Sequence, residues 1–168
     1  MKHNLILIFI ILIAQIISAQ NTVEDKTLTL NDNITWLNDF EKLELKVNRI
    51  TIFKQKINAD TLFTAKAANS RIQFKNKSNP ILPKEKIECD CKIQFLINLN
   101  ETNYYLLDPI AYPKTSMVLK LINLNNIEDF YIIKQAEAAA LFGEQAKCGV
   151  LILKTKNKQL IKKVKQIL

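Results

Sequence analysis

The side chains able to do chemistry in this 168-residue chain are few, and their spacing excludes more than it offers. The one histidine is His3, inside the apolar leader described below, so the folded part of the chain has no imidazole for serine or cysteine catalysis or for a histidine-containing zinc site. Glu128 and Asp129 are adjacent, and on a strand they project to opposite faces rather than converging as an acid–base pair. Glu137 and Glu144 read as solvating carboxylates of an alanine-rich helix. These residues point away from an enzyme, and no cofactor or metal is expected.

Cys89, Cys91 and Cys148 are the remaining reactive groups. The first two are too close along a strand to bond each other well, so the expected disulfide joins either Cys89 or Cys91 to Cys148 and leaves one thiol over. Read as metal ligands, three thiols make an incomplete zinc set.

Charge is concentrated at one end. Residues 20–144 carry 16 cations and 16 anions, whereas residues 145–168 carry seven lysines and no acid. Within that tail Leu160, Ile161, Val164, Ile167 and Leu168 recur at helical spacing, with Lys158, Lys162, Lys163 and Lys165 mostly on the other side. A basic amphipathic helix over 157–168 is therefore expected. Either its apolar stripe docks on the core and its lysines are solvated, or it contacts an anionic membrane surface or an acidic partner. Nucleic acid is not an expected partner, because the basic patch lacks interleaved aromatics.

These groups must be positioned by a small scaffold. Residues 1–19 combine Lys2, an aliphatic run from Leu5 to Ala14 and a small residue at Ala19, the pattern of a signal peptide, which places the protein in an exported compartment. Residues 20–80 read as a β-rich segment. Thr27–Leu30 alternates, Leu43, Leu45 and Val47 keep one parity before Ile50 and Ile52 take the other, and Thr61–Ala67 with Arg71–Lys75 suggests a hairpin. Asn33–Asp39 reads as a helical turn carrying Trp36 and Leu37 inward. Pro80 and Pro83 mark a junction to an α/β region over 81–156. There Ile93–Leu99 and Tyr104–Leu107 form an antiparallel pair, followed by an irregular loop through Asp108-Pro109 and Tyr112-Pro113.

The most informative stretch runs from Leu121 to Lys156, and reads as strand, alanine-rich helix over Gln135–Phe142, turn, and aliphatic strand. The chain's two glycines, Gly143 and Gly149, both fall in that turn, where positive φ is expected. Together these elements predict an α+β fold, with a small mixed sheet and a C-terminal strand–helix–strand crossover preceded by the β-rich segment.

Asn126, Ile127, Glu128, Ile133, Lys134, Ala138, Leu141, Gly143, Ala146, Gly149, Val150, Ile152, Thr155 and Lys156 follow one another as in the plug domain of TonB-dependent outer-membrane receptors, especially the Bacteroidetes form, and the segment resembles that domain. Phe142, Cys148 and Pro109 depart from the pattern, and residues 20–80 lie outside it. The resemblance implies a plug-like module of the cell envelope, periplasmic or outer-membrane associated, with an envelope protein as partner. Twelve residues follow Lys156, about the length of one membrane strand, so the expected role is a plug-like interaction module and not a transporter. The alternative is an accessory protein of an uptake system that binds a nutrient or other small molecule, using loops 108–114 and 144–147 and a pocket formed by Tyr104, Tyr105 and Tyr112.

Overall fold

The computed structural model describes residues 28–65, 75–77, 87–89, 91–100 and 102–168. The signal-peptide reading of 1–19 and most of the Thr61–Lys75 hairpin reading lie outside them.

Helix α1 (Leu30–Glu41) starts at a capping box, in which Thr29 accepts from the Asp32 backbone and Asp32 accepts from that of Thr29. Asn33, Leu37 and Phe40 face inward, so the expected helical turn is one part of a 12-residue helix. Helix α2 (Lys46–Asp60) buries Ile50, Phe53, Ile57 and Asp60 at three- and four-residue intervals. The β-rich reading of residues 20–80 is therefore corrected: Leu30 opens α1, and the alternation from Leu43 to Ile52 runs into α2. The physical reason is exposure. Leu45 and Val47 are 61% and 50% exposed, so the alternating residues mark no buried strand face. Among the described residues of that segment one strand is present, β1 (Phe63–Ala65), and it pairs in parallel with β2 (Ile87–Cys89).

The main sheet contains β3 (Gln94–Asn100), β4 (Asn103–Leu106), β5 (Asp129–Ile133) and β6 (Val150–Lys154), in the order β4-β3-β6-β5. The central β3–β6 pair is parallel and both outer pairings are antiparallel, so the fold is α+β with a mixed sheet. The loop expected from Asp108 to Pro113 is followed by a further helix, α3 (Thr115–Leu121), on which Val118 and Leu119 turn inward. Helix α4 (Gln135–Phe142) joins β5 to β6 over the predicted residues and ends at Gly143, followed by a short 3-10 turn (Glu144–Ala146). The strands it connects are antiparallel neighbours. Helix α5 (Lys158–Ile167) completes the chain, its N-terminus capped by the Asn157 side chain accepting from the Leu160 backbone.

Strand alternation divides the core in two. Phe95, Ile97, Leu151, Leu153 and Phe130 face a layer made from α1, α2, α3 and α5. Its centre is aromatic: Phe53 meets Phe95 and Phe130 at centroid distances of 5.6 and 6.2 Å, and Phe40 meets Phe130 at 5.5 Å. The opposite face presents Leu96, Leu106, Val150 and Ile152, which pack with Ala138 and Phe142 of α4 and with Ala146. Among the described residues no helix is long and apolar enough to cross a membrane.

Candidate functional site

Helix α4 is eight residues long and covers part of its sheet face, leaving the C-terminal ends of β3 and β6 open. A groove of about 1180 Å³ lies there, floored by Ile133 and Ile152, flanked by Tyr104 and Tyr131, and bordered by Asn98, Asn100 and Thr102. Lys154, Lys156 and Lys158 also line it, and none of its described lining residues is acidic. Tyr131 is 46% exposed, and the Lys154 ammonium sits 5.6 Å from its ring centroid. Tyr104 packs edge-on against Phe142, at 6.2 Å between centroids. The aromatic flank is thus braced by α4 on one side and open on the other.

Several residues singled out in the sequence meet at this border. Lys156 donates to Glu128 at 2.7 Å, and that carboxylate raises the Lys156 pKa through the hydrogen bond and its charge. Thr155 is buried, and its hydroxyl donates to the Asn126 carbonyl at 2.6 Å and accepts from the Asn157 backbone at 3.1 Å. It therefore fastens the asparagine-rich turn to the start of α5. Asp129 lies 4.0 Å from Arg49, so the two adjacent carboxylates are engaged separately, by different cations. Lys134 is elsewhere, paired with Glu41 of α1 at 2.6 Å.

Gly143 and Gly149 both have positive φ, +87° and +107°. A Cβ on Gly149 would collide with Leu37 Cδ1 and approach the Ile133 carbonyl at 3.2 Å, whereas the atoms nearest to one on Gly143 belong to the Gln145 side chain. Gly149 is the close approach that lets α1 pack over the start of β6.

The disulfide is Cys91–Cys148, with 5.7 Å between the Cα atoms. It ties the residues leading into β3 and β6, next to the Gln94 backbone N–H bond to the Gly149 carbonyl at 3.0 Å. Cys89 is the cysteine outside this bridge, and lies on β2.

Lys158, Lys162, Lys163 and Lys165 are exposed, while Leu160, Val164 and Leu168 are buried in the main core. The apolar stripe of the tail is thus already occupied, and only its cationic side is offered outward. Tyr104, Tyr105 and Tyr112 do not form one pocket. Tyr105 packs against the helical layer, Tyr104 and Tyr112 against the smaller cluster, and the groove takes Tyr104 with Tyr131.

A polar cluster beside the disulfide was not visible in the sequence. Asn33 donates to the Cys91 carbonyl at 3.0 Å and accepts from Lys56 at 2.9 Å, and Lys56 also donates to Asp60 at 2.8 Å. Burial raises the Asp60 pKa above 3.8, against the lowering pull of Lys56 and Lys92. Asp60 Oδ2 has no hydrogen-bond partner among the described residues, and the adjoining cavity of about 20 Å³ is the size of one water. The i,i+4 spacing of Lys56 and Asp60 was the available signal, hidden by the strand reading of the preceding residues.

No group of three or more potential metal-ligating side chains occurs among the described residues. Comparison of the chain with protein-family models, curated proteins and solved structures finds no match.

Proposed function

We propose that this protein is an exported, non-enzymatic interaction module of the bacterial cell envelope, plug-like in its C-terminal part and not itself a transporter. The single observation that carries this reading is the half-covered sheet face. A layer of four helices closes one side of the sheet, while α4 stops short on the other and leaves Tyr131 and the lysine border in solvent. An open apolar strip rimmed by polar residues is the usual surface for a protein contact. The strand–helix–strand segment with both glycines at positive φ supports the plug-like part of the reading.

The test is site-specific photocrosslinking in the native envelope. A photoreactive phenylalanine at Tyr131 should give a discrete protein adduct, and the same group at Val47, exposed on α2, should not. Equal labelling from both positions, or none from Tyr131, would remove the proposal.

The groove volume favours one second reading, an accessory protein that binds a small molecule. Native mass spectrometry of protein purified from its own envelope would then show a co-purifying compound, lost on mutation of Tyr104 and Tyr131.

A further inference from the structure

Resting on the interaction-module reading, we infer that the groove binds an extended, acidic, amphipathic peptide segment of a partner protein. Three features of the groove fix that chemistry. Its border carries Lys154, Lys156 and Lys158, and among the described lining residues none is acidic. Of these, Lys156 is tied to Glu128, and the neighbouring Asp129 lies near Arg49, so among the described residues Lys154 and Lys158 carry the charge that no carboxylate pairs. Anionic groups are attracted there, and cationic ones are turned away.

The floor is apolar, made by Ile133 and Ile152 with the Tyr131 ring beside them, so an occupant must also bring hydrocarbon to cover it. At the other end the exposed Asn100 amide N–H and the Thr102 hydroxyl match a peptide carbonyl, while the buried Asn98 amide donates to the Asn100 carbonyl at 2.6 Å and holds that end in place. An acyl chain with an acid head would satisfy the floor and border but leave the amide end unmatched. An acidic sugar would satisfy border and amides but leave the isoleucines wet.

Exposure selects a chain segment over a small solute. Tyr131 is 46% exposed and the Lys156 side chain 74%, so a small ligand would remain wet where most binding sites enclose their occupant. The span from β4 to β5 is about 14 Å at ordinary strand spacing, which about five extended residues cross. Alternating acidic and apolar side chains on such a segment would meet border and floor in turn.

The experiment measures binding of the full exported chain, with its disulfide intact, to a synthetic peptide of about ten residues alternating glutamate and valine. Binding should be saturable and should weaken as salt rises. Lys154→Glu with Lys158→Glu should lower affinity about tenfold, and Tyr131→Ser several-fold. Lys162→Glu with Lys163→Glu, on the same helix outside the groove, should change it by less than about twofold. Melting curves of these exposed-site variants check that each is folded.

The inference is overturned if no saturable binding occurs, if a lysine–valine peptide binds equally well, or if the groove variant binds as the unaltered chain does. It is also overturned if anionic phospholipid vesicles or polygalacturonate bind the groove and the peptide does not. A Tyr131 photoadduct together with a negative peptide result would leave the interaction module standing and remove only the acidic peptide.

Discussion

The two faces of the main sheet are built from the same strands by alternation, yet they finish differently. One is sealed by α1, α2, α3 and α5 around a cluster of phenylalanines, and the other receives one eight-residue helix and keeps an open end. The contrast separates stability from recognition. Closing a face removes apolar area from water, at roughly 25 cal/mol per Å². Leaving part of a face open forgoes that gain and retains a surface that a partner can cover.

The sharpest way to break this comparison is to truncate a phenylalanine on each side. Phe53→Ala, at a fully buried position of the sealed face, should cost about 3–5 kcal/mol in chemical denaturation. Phe142→Ala, 9% exposed in the smaller cluster, should cost less than Phe53→Ala, about 3 kcal/mol at the low end of that range. Equal losses would mean that the two faces share the load.

A smaller effect sharpens the seam between α1 and the sheet. Gly149→Ala should destabilise by about 2–3 kcal/mol, because the new methyl meets Leu37 and the Ile133 carbonyl in a backbone conformation that side chains resist. Gly143→Ala should cost about 1 kcal/mol, since only the end of Gln145 must move. Melting temperatures that reverse this order would remove the close-packing role of Gly149.

Asp60 gives a pH-dependent check on the sealed side. Its folded pKa is raised by burial above its unfolded value, so between the two values the native state binds more protons. Its favourable contribution is therefore present at acid pH and is lost as pH rises from 3.8 through the elevated folded pKa. Carboxyl titration by NMR should place Asp60 above 3.8, and a midpoint at or below that value would contradict the burial argument. The smallest effect is expected on the open side, where Tyr131→Ser should change stability by less than about 0.5 kcal/mol. A large loss there would make the exposed tyrosine part of the core rather than of the binding surface.

The C-terminal half was legible because its signals are local and agree. Alanine-rich composition, Gly143 and the aliphatic run from Val150 place α4 and β6 within the observed residues, and the i,i+3/i+4 stripe from Leu160 to Leu168 places α5. The N-terminal half was misread because β-branched Val47, Ile50, Thr51 and Ile52 favour a strand locally, while burial of Ile50, Phe53 and Ile57 against the sheet selects a helix. Helix α3 hides behind Pro113, which reads as loop although proline is compatible with a helix start. The groove was not legible at all. Its tyrosines are separated by 27 positions, and only the antiparallel and parallel pairings of β4, β3, β6 and β5 bring them to one face.

The sulfur bridge has a mechanical consequence. Under tension applied at the two ends of the chain, force passes directly from Cys91 to Cys148 and bypasses the intervening segment, whose sequence separation is 57. About 190 Å of contour length is thereby locked until a reductant cleaves the bond. The elements outside that loop, α1, α2, β1, β2, β6 and α5, bear the load, while β3, β4, α3, β5 and α4 are shielded from it. Single-molecule extension should therefore fall short of full length by about 190 Å under oxidising conditions and gain that length only after reduction.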